Sequence, residues 1–355
     1  MKIHESDTPQ LKHQFFQLFD EAFPQDRRWN RWCFDNVYRD DQAVSLVEDG
    51  HTVSSLLMQS YQFAFHGSEL QMAYLCGICT AADKRGKGNL SLLMHKALAE
   101  AYNRGYALAA LIPASERLFF VYDRFGFATT VYVDVERYTS AHNFCDEGYR
   151  AVTCDYDTLR HLEGMRTCGV LHDKQQFRHV CEDVTADGGG VFAVKSDDNE
   201  STAIAFAVPV SWRDRVEVRE LLATDNKAAE AVLAQVRKHF PDRGLNVFSL
   251  PENRRSTLSA RGMMRIINAE KVLGVISTGE MTAEQVIRVH DNILPQNNGV
   301  YIIGNNGCRR VDETLRRLTL DVDIATLTGI IFSSEKIGRV FGLQTSRAMM
   351  PMMLD

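Results

Sequence analysis

What this chain lacks narrows it first. No apolar run approaches the roughly 20 residues that a membrane-spanning helix needs. The opening residues Met1–Asp7 contain no apolar core of a secretion signal, so a cytoplasmic protein with no membrane partner is expected. No basic block is present, and the formal net charge is −6 over 355 residues. That mild acidity argues against a nucleic-acid partner. The cysteines at Cys33, Cys76, Cys79, Cys145, Cys154, Cys168, Cys181 and Cys308 are scattered. In a long chain without a secretion signal they read as reduced thiols. Cys76 and Cys79 have the spacing of half a zinc site, but no second Cys or His pair completes it. They also fall inside a strand-like run rather than at a helix N-terminus, where thiolate is stabilised. Two small residues in a crowded strand, and no metal, are expected. None of the eleven histidines sits in a recognisable catalytic pairing.

What is present is an ordinary globular composition, 45% hydrophobic and 24% charged, in a chain long enough for two or three domains. Phe15, Phe16, Leu18, Phe19 and Phe23 predict a first helix, and residues 29–38 a second. Strands 43–48 and 52–65 end at Asp49-Gly50 and His66-Gly67, both hairpin signals. A strand over 70–80 leads to a helix over 90–104, where Leu90, Leu93, Met94, Ala97, Leu98 and Ala101 form one apolar stripe. A buried strand follows at 107–112, then a short helix at 115–124 and a strand at 129–136. The order describes a mixed α/β fold. From about Phe144 the rhythm repeats more faintly, with strands at 191–194, 202–208, 216–222 and 245–250 and a helix at 227–240. A third piece opens at Met264–Val275, has a turn at Pro295–Gly299 and strands at 300–304 and 319–322, then helical patterns at 324–331 and 335–341. The apolar tail 348–355 is a solubility liability unless it packs against something.

The most informative segment is Arg85-Gly86-Lys87-Gly88-Asn89-Leu90, between a strand and an amphipathic helix. Backbone N–H groups converge at a helix N-terminus, its dipole favours negative charge, and glycines admit close approach of an anion. The segment is not a Walker A loop, because Lys87 lies between the glycines and no Gly-Lys-Ser/Thr follows. It also lacks the third glycine of a dinucleotide fingerprint. A ligand carrying a pyrophosphate is the expectation. In the second piece the corresponding stretch, Ala223–Ala229, has no glycine, so a duplicated domain there would have lost its cofactor.

Arg85 to Leu90 after a strand resembles the coenzyme A loop of the GNAT N-acetyltransferases. Leu111–Glu116, followed by Phe119–Phe127 with its Tyr122-x-x-x-Gly126-Phe127 element, is similar to the family's second motif. With the faint second copy, and a third piece containing Met264–Asn268 and Pro295–Gly299, the chain resembles the enhanced-intracellular-survival (Eis) acetyltransferases. The resemblance implies tandem GNAT folds, active over 1–143 and degenerate over 144–260. It also implies a sterol-carrier-protein-like α+β domain over 261–355, whose C-terminal tail reaches the active site.

Residue by residue, the resemblance places Ile78, Cys79 and Thr80 on the strand that pairs with the pantetheine arm. It places Arg85, Gly86, Lys87, Gly88, Asn89, Leu90 and Ser91 around the pyrophosphate, and Ser115 and Glu116 at a further cofactor contact. Glu116 reads equally as an acidic residue stabilising the first turn of its helix. Tyr122 would protonate the departing thiolate, unless it is one more aromatic of the Phe119–Phe127 cluster. Asp355, through its terminal or side-chain carboxylate, would act as base. The implied activity is acetyl-CoA-dependent transfer to a small-molecule amine in a ternary complex, by a homo-oligomer. Two alternatives stand beside it. One is a ligand-binding protein using the sterol-carrier-like domain. The other is an enzyme with a covalent intermediate on Cys79, for which no His is positioned by sequence.

Overall fold

The computed structural model describes the chain except for residues 1, 6–8, 211–212, 250–258, 278–283, 305–306, 333–340, 343–346 and 355. In chain order the elements begin with β1 (Lys2–Glu5), α1 (Pro9–Ala22), α2 (Arg27–Asn36), β2 (Ala43–Glu48), β3 (His51–Phe65) and β4 (Ser68–Thr80). Next come α3 (Asn89–Asn103), β5 (Leu108–Leu111), α4 (Glu116–Asp123), β6 (Ala128–Tyr138), β7 (Tyr149–Val152), α5 (Tyr156–Gly164), β8 (Cys168–Leu171) and α6 (Lys174–Ala186). Then follow β9 (Gly190–Ser196), β10 (Thr202–Val210), β11 (Arg215–Ala223), α7 (Asn226–His239), β12 (Gly244–Ser249) and β13 (Ser259–Ile266). The last are α8 (Ala269–Ile276), β14 (Gln285–His290), β15 (Gly299–Gly304), β16 (Gly307–Val311), β17 (Leu320–Asp323) and α9 (Ile324–Phe332).

Contacts divide the chain into two compact units, one of residues 1–130 with 262–346 and one of 131–261 with 347–354. In the first unit β1, β2, β3, β4, β5 and β13 are successive neighbours in a sheet. The β2–β3 turn places Asp49 and Gly50 at φ 50° and 81°, the left-handed pair whose twist suits a two-residue hairpin. Helix α3 lies against β2 and β3. Its buried stripe Leu93, Met94, Ala97, Leu98 and Ala101 meets Val44, Leu46, Leu56, Met58, Ala109 and Leu111. Burying each large side chain of that stripe stabilises the fold by about 1.5–3 kcal/mol. On α1, Phe15 and Phe19 meet Phe34 of α2 edge to face at 5.2 and 5.3 Å between ring centres. The stretch 262–346 adds β13, antiparallel to β5 with Met263 opposite Leu111 and Ile266 opposite Leu108. It also adds a four-stranded sheet in the order β16, β15, β14, β17.

In the second unit the order is β6, β12, β11, β10, β9, β7. Its core joins α7, through Ala228, Ala231, Val232 and Val236, to Val194, Ala203, Ala205, Val216 and Leu245 of the sheet. Helices α5 and α6 lie between residues 144 and 191, where no element is predicted above. Both are started by side chains, Asp155 accepting from Thr158 N–H at 2.7 Å and Asp173 forming a reciprocal cap with Gln176. The apolar tail does pack. Ala348, Met350, Met353 and Leu354 are buried, and Val170 N–H donates to the Met349 carbonyl at 2.9 Å.

Candidate active site

The two units share a local device, a strand, a loop, a helix and a returning parallel strand, and the differences between the copies locate the site. In the first unit β4 and β5 pair only where Met72–Tyr74 face Leu108–Ala110, yet β4 continues to Thr80. No pairing with β5 is present beyond Tyr74 among the described residues. A strand edge left this way offers N–H and C=O groups to an extended amide-bearing molecule. The far end of β4 is held from the other side. Ser55 stands opposite Cys79 and Leu57 opposite Cys76, so β4 carries a bulge there. The Ser54 hydroxyl donates to the Cys79 carbonyl at 2.8 Å and lies 2.8 Å from Thr80 Oγ1.

The loop after β4 closes on the N-terminus of α3. Gly86 and Gly88 have φ 73° and 84°, and Gly88 is the N-cap of α3 with no side chain to occupy the first-turn N–H groups. Added Cβ atoms would meet nothing within 4 Å at either glycine. Conformation, not space, therefore selects glycine here. Arg85, Gly86, Lys87 and Gly88 are exposed, and Asn89, Leu90 and Ser91 are half-buried. The Arg85 Nε–H donates to the Thr80 carbonyl at 3.0 Å, and Asn89 Nδ2–H to the Lys84 carbonyl at 3.1 Å. Lys84 pairs with Glu48, and that ammonium is the main cause holding the Glu48 carboxyl below its ordinary value. Lys87 makes no ion pair among the described residues. The result is a cationic loop around an unfilled helix N-terminus, which is what an anion requires.

The second copy is closed. There β11 and β12 are parallel over Arg215–Val218 and Gly244–Val247, with α7 between them in sequence. The N-cap of α7 is Asp225, whose carboxylate accepts from the N–H groups of Lys227 and Ala228, both at 2.9 Å. An internal carboxylate thus takes the donors that an external anion would need.

Tyr122 lies on α4, buried at 7% exposure beside Phe125 and Phe127. Burial pushes its phenol up to about 12, so it is a protonated group. Its hydroxyl finds no hydrogen-bond partner among the described residues and is not one of the sealed unpartnered oxygens. Ile78 is half-buried against the same core. Cys79 is buried, its Sγ–H donates weakly to the Ser55 carbonyl at 3.7 Å, and burial pushes the thiol up to about 12. A thiol so held is not a nucleophile near neutral pH. Ser115 and Glu116 are exposed at the start of α4, where Ser115 makes no side-chain cap. Asp355 lies outside the described residues. The Ser54 hydroxyl, and the Arg265 network described below, carry no signal in the sequence, because their partners are far along the chain.

The second unit holds another polar concentration. His172 Nδ1 lies 2.6 Å from Glu163 Oε1, the His172 backbone N–H donates to Glu163 Oε2 at 2.9 Å, and His172 Nε2 lies 3.3 Å from the Met352 carbonyl. Arg166 pairs with Glu220 at 2.5 Å beside them, and burial raises the Glu220 carboxyl. Among the described residues no group of three or more His, Cys, Asp or Glu side chains is placed to hold a metal ion.

Residues 6–130 match the sequence model of the acetyltransferase (GNAT) domain. Residues 6–130 thus form an acetyltransferase (GNAT) domain, of a kind that uses acetyl-CoA as cosubstrate, which makes the chain an acetyltransferase. Among solved structures the chain is similar to Eis1 from Mycobacterium abscessus, at TM-score 0.75 and 16% identity over 98% of this chain and 94% of that one. It is also similar to a GCN5-related N-acetyltransferase from Anabaena variabilis, at TM-score 0.76 and 16% identity over 98% of both chains. A GCN5-related N-acetyltransferase from Kribbella flavida gives TM-score 0.73 and 16% identity over 98% and 99%. At that identity the likeness establishes a shared fold. No curated protein matches the sequence.

Proposed function

We propose that the protein transfers acetyl from acetyl-CoA directly to a primary amine, of polyamine, aminoglycoside or lysine type, in a ternary complex. The observation that carries this is the unfilled N-terminus of α3 at Gly88, beside a β4 edge free of β5 after Tyr74. The pyrophosphate sits at Arg85–Ser91, with Ser115 and Glu116 as a further contact, and the pantetheine arm runs along Ile78–Thr80. The amine nitrogen attacks the thioester carbonyl, backbone N–H groups hold the oxyanion, the C–S bond breaks, and the thiolate takes the Tyr122 proton. The nitrogen of the tetrahedral adduct, cationic after the attack, gives its proton to a carboxylate base before the C–S bond breaks, a role assigned to Asp355 by the Eis resemblance alone.

An unperturbed phenol near ~10 is a weak acid toward a thiolate whose conjugate acid is near ~8.5. Burial raises the Tyr122 phenol further, to about 12, so its proton must move as the C–S bond breaks rather than before it. The division into an active domain over 1–143, a degenerate copy over 144–260 and a sterol-carrier-like domain over 261–355 belongs to the proposal, as do a homo-oligomeric assembly and a cytoplasmic location. The test is CoA release from acetyl-CoA across a panel of amines. Amine-dependent release supports the proposal, and no release with any amine, together with no rise in Tm at millimolar acetyl-CoA, overturns it.

A further inference from the structure

The residues that match the GNAT domain do not complete the first unit. Strand β13, more than a hundred residues further along the chain, lies against β5 and places Arg265 opposite Ala109. Arg265 is fully buried, and each nitrogen of its guanidinium is engaged. Nη2 reaches both carboxylate oxygens of Asp291 at 2.7 and 2.9 Å, and Nη1 donates to the Ile266 carbonyl at 2.9 Å. Nε donates to the Phe125 carbonyl at 2.8 Å. Asp291 is fixed in turn by the N–H groups of Ile293 and Leu294 and by Asn297 Nδ2.

The Phe125 carbonyl belongs to the turn that ends α4. Phe125 N–H donates to the Tyr122 carbonyl and Gly126 N–H to the Asp123 carbonyl, both at 2.9 Å. Gly126 has φ 78°, and a Cβ there would lie 2.9 Å from Ile324 Cγ2 and 3.0 Å from Arg265 Nε. The turn therefore rests directly on the guanidinium. A buried ion pair is costly to desolvate, and an apolar pair of similar volume often serves stability as well. What the apolar pair lacks is a directed N–H at a chosen carbonyl.

We propose that Arg265 is a positioning residue for acetyl transfer, fixing through the Phe125 carbonyl the turn that sets the placement of Tyr122. The inference rests on Tyr122 being the acid of the reaction. A planar fork anchored at Asp291 holds Nε rigidly at the turn, and lysine has no equivalent donor. Displacing an acid by about 1 Å costs up to about a hundredfold in rate.

The test is a kinetic cycle on the full chain with Arg265→Lys, Tyr122→Phe and the double variant. Lysine keeps a cation beside Asp291, whereas a neutral replacement would leave that carboxylate buried and unpaired. Arg265→Lys should lower kcat by about tenfold to a hundredfold with KM for acetyl-CoA within about twofold. In the Tyr122→Phe background the same change should alter kcat by less than about twofold, because the group it positions is gone. A merely structural Arg265 would lower kcat equally in both backgrounds, and that result overturns the inference, as does unchanged kcat in Arg265→Lys. Unchanged kcat in Tyr122→Phe overturns the acid assignment, and the positioning role with it. Should Arg265→Lys fail to fold, Asp291→Glu, which keeps the charge and shifts the anchor of the same guanidinium, takes its place and the same cycle decides.

Discussion

The Nε–H of Arg85 donates to the carbonyl of Thr80 at 3.0 Å, so the first cation of the loop is tied to the last residue of β4. One bond fixes the loop to the strand, and the two terminal nitrogens remain for an anion at the start of α3. Arg85→Ala should raise KM for acetyl-CoA about tenfold, the loss of a charge-assisted contact of about 1.4 kcal/mol, and leave kcat nearly unchanged. Arg85→Lys keeps the charge and loses the fork, so it should fall between. Steady-state kinetics with acetyl-CoA varied measures both. A fall in kcat at constant KM would mean that Arg85 acts on the reacting centre.

Burial holds the Tyr122 phenol up to about 12 against an ordinary 10.0. The unfolded chain releases this proton first, so its contribution to stability is intact below 10.0 and lost as pH rises toward about 12. For catalysis the acid form persists through the alkaline range. The difference in kcat/KM between the parent enzyme and Tyr122→Phe should stay constant from about pH 7 to about pH 11. A Tyr122-dependent decline below pH 10 would show that the phenol ionises in the free enzyme more easily than its burial implies.

Much of the first unit was legible in the sequence, because its signals are local. The stripe on α3 comes from a 3.6-residue period, the hairpin at Asp49-Gly50 from left-handed turn chemistry, and the open N-cap from Gly88. Strand 43–48 and the start of α4 after Ser115 follow the same logic. The second unit was fainter, and not for want of local signals: α6 has the Asp173–Gln176 capping box and buried Phe177, Val180 and Val184 at helical spacing. The long gap between Phe144 and Val191 leaves those features without a neighbouring strand motif to frame them. The supports of the candidate site were invisible. Ser54 meets Cys79, and Arg265 meets Phe125 and Asp291, across separations that no periodicity or short motif encodes.

Cys79 lies on the strand proposed to carry the thioester, and its buried thiol held at about 12 excludes it as a nucleophile near neutral pH. Cys79→Ala should retain turnover within about threefold and lose about 1 kcal/mol of stability for the small cavity. Alkylation of the native enzyme at neutral pH should mark the exposed Cys145 and spare Cys79. Peptide mass spectrometry reads the second result, and CoA release the first. Loss of all turnover in folded Cys79→Ala, with an acetylated Cys79 trapped in the parent, would restore the covalent route.

Asp225 fills the N-terminus of α7 where Gly88 leaves that of α3 open. Its carboxyl lies below the ordinary 3.8, mainly through the Ser201 hydroxyl and then the Ala228 N–H. A depressed carboxyl contributes stability that is present above the unfolded value and lost as pH falls through the folded one. Asp225→Ala should therefore cost about 1 kcal/mol at pH 7, the usual worth of such a cap, and progressively less below 3.8. Denaturant unfolding at several pH values measures this. The same carboxylate excludes an external anion, so calorimetry on the parent chain should find a single acetyl-CoA site, weakened about tenfold by Arg85→Ala and untouched by Asp225→Ala. A second site of similar affinity in the parent would show that the glycine-free copy binds cofactor too. Loss of the single site in Asp225→Ala would place the cofactor on the other unit.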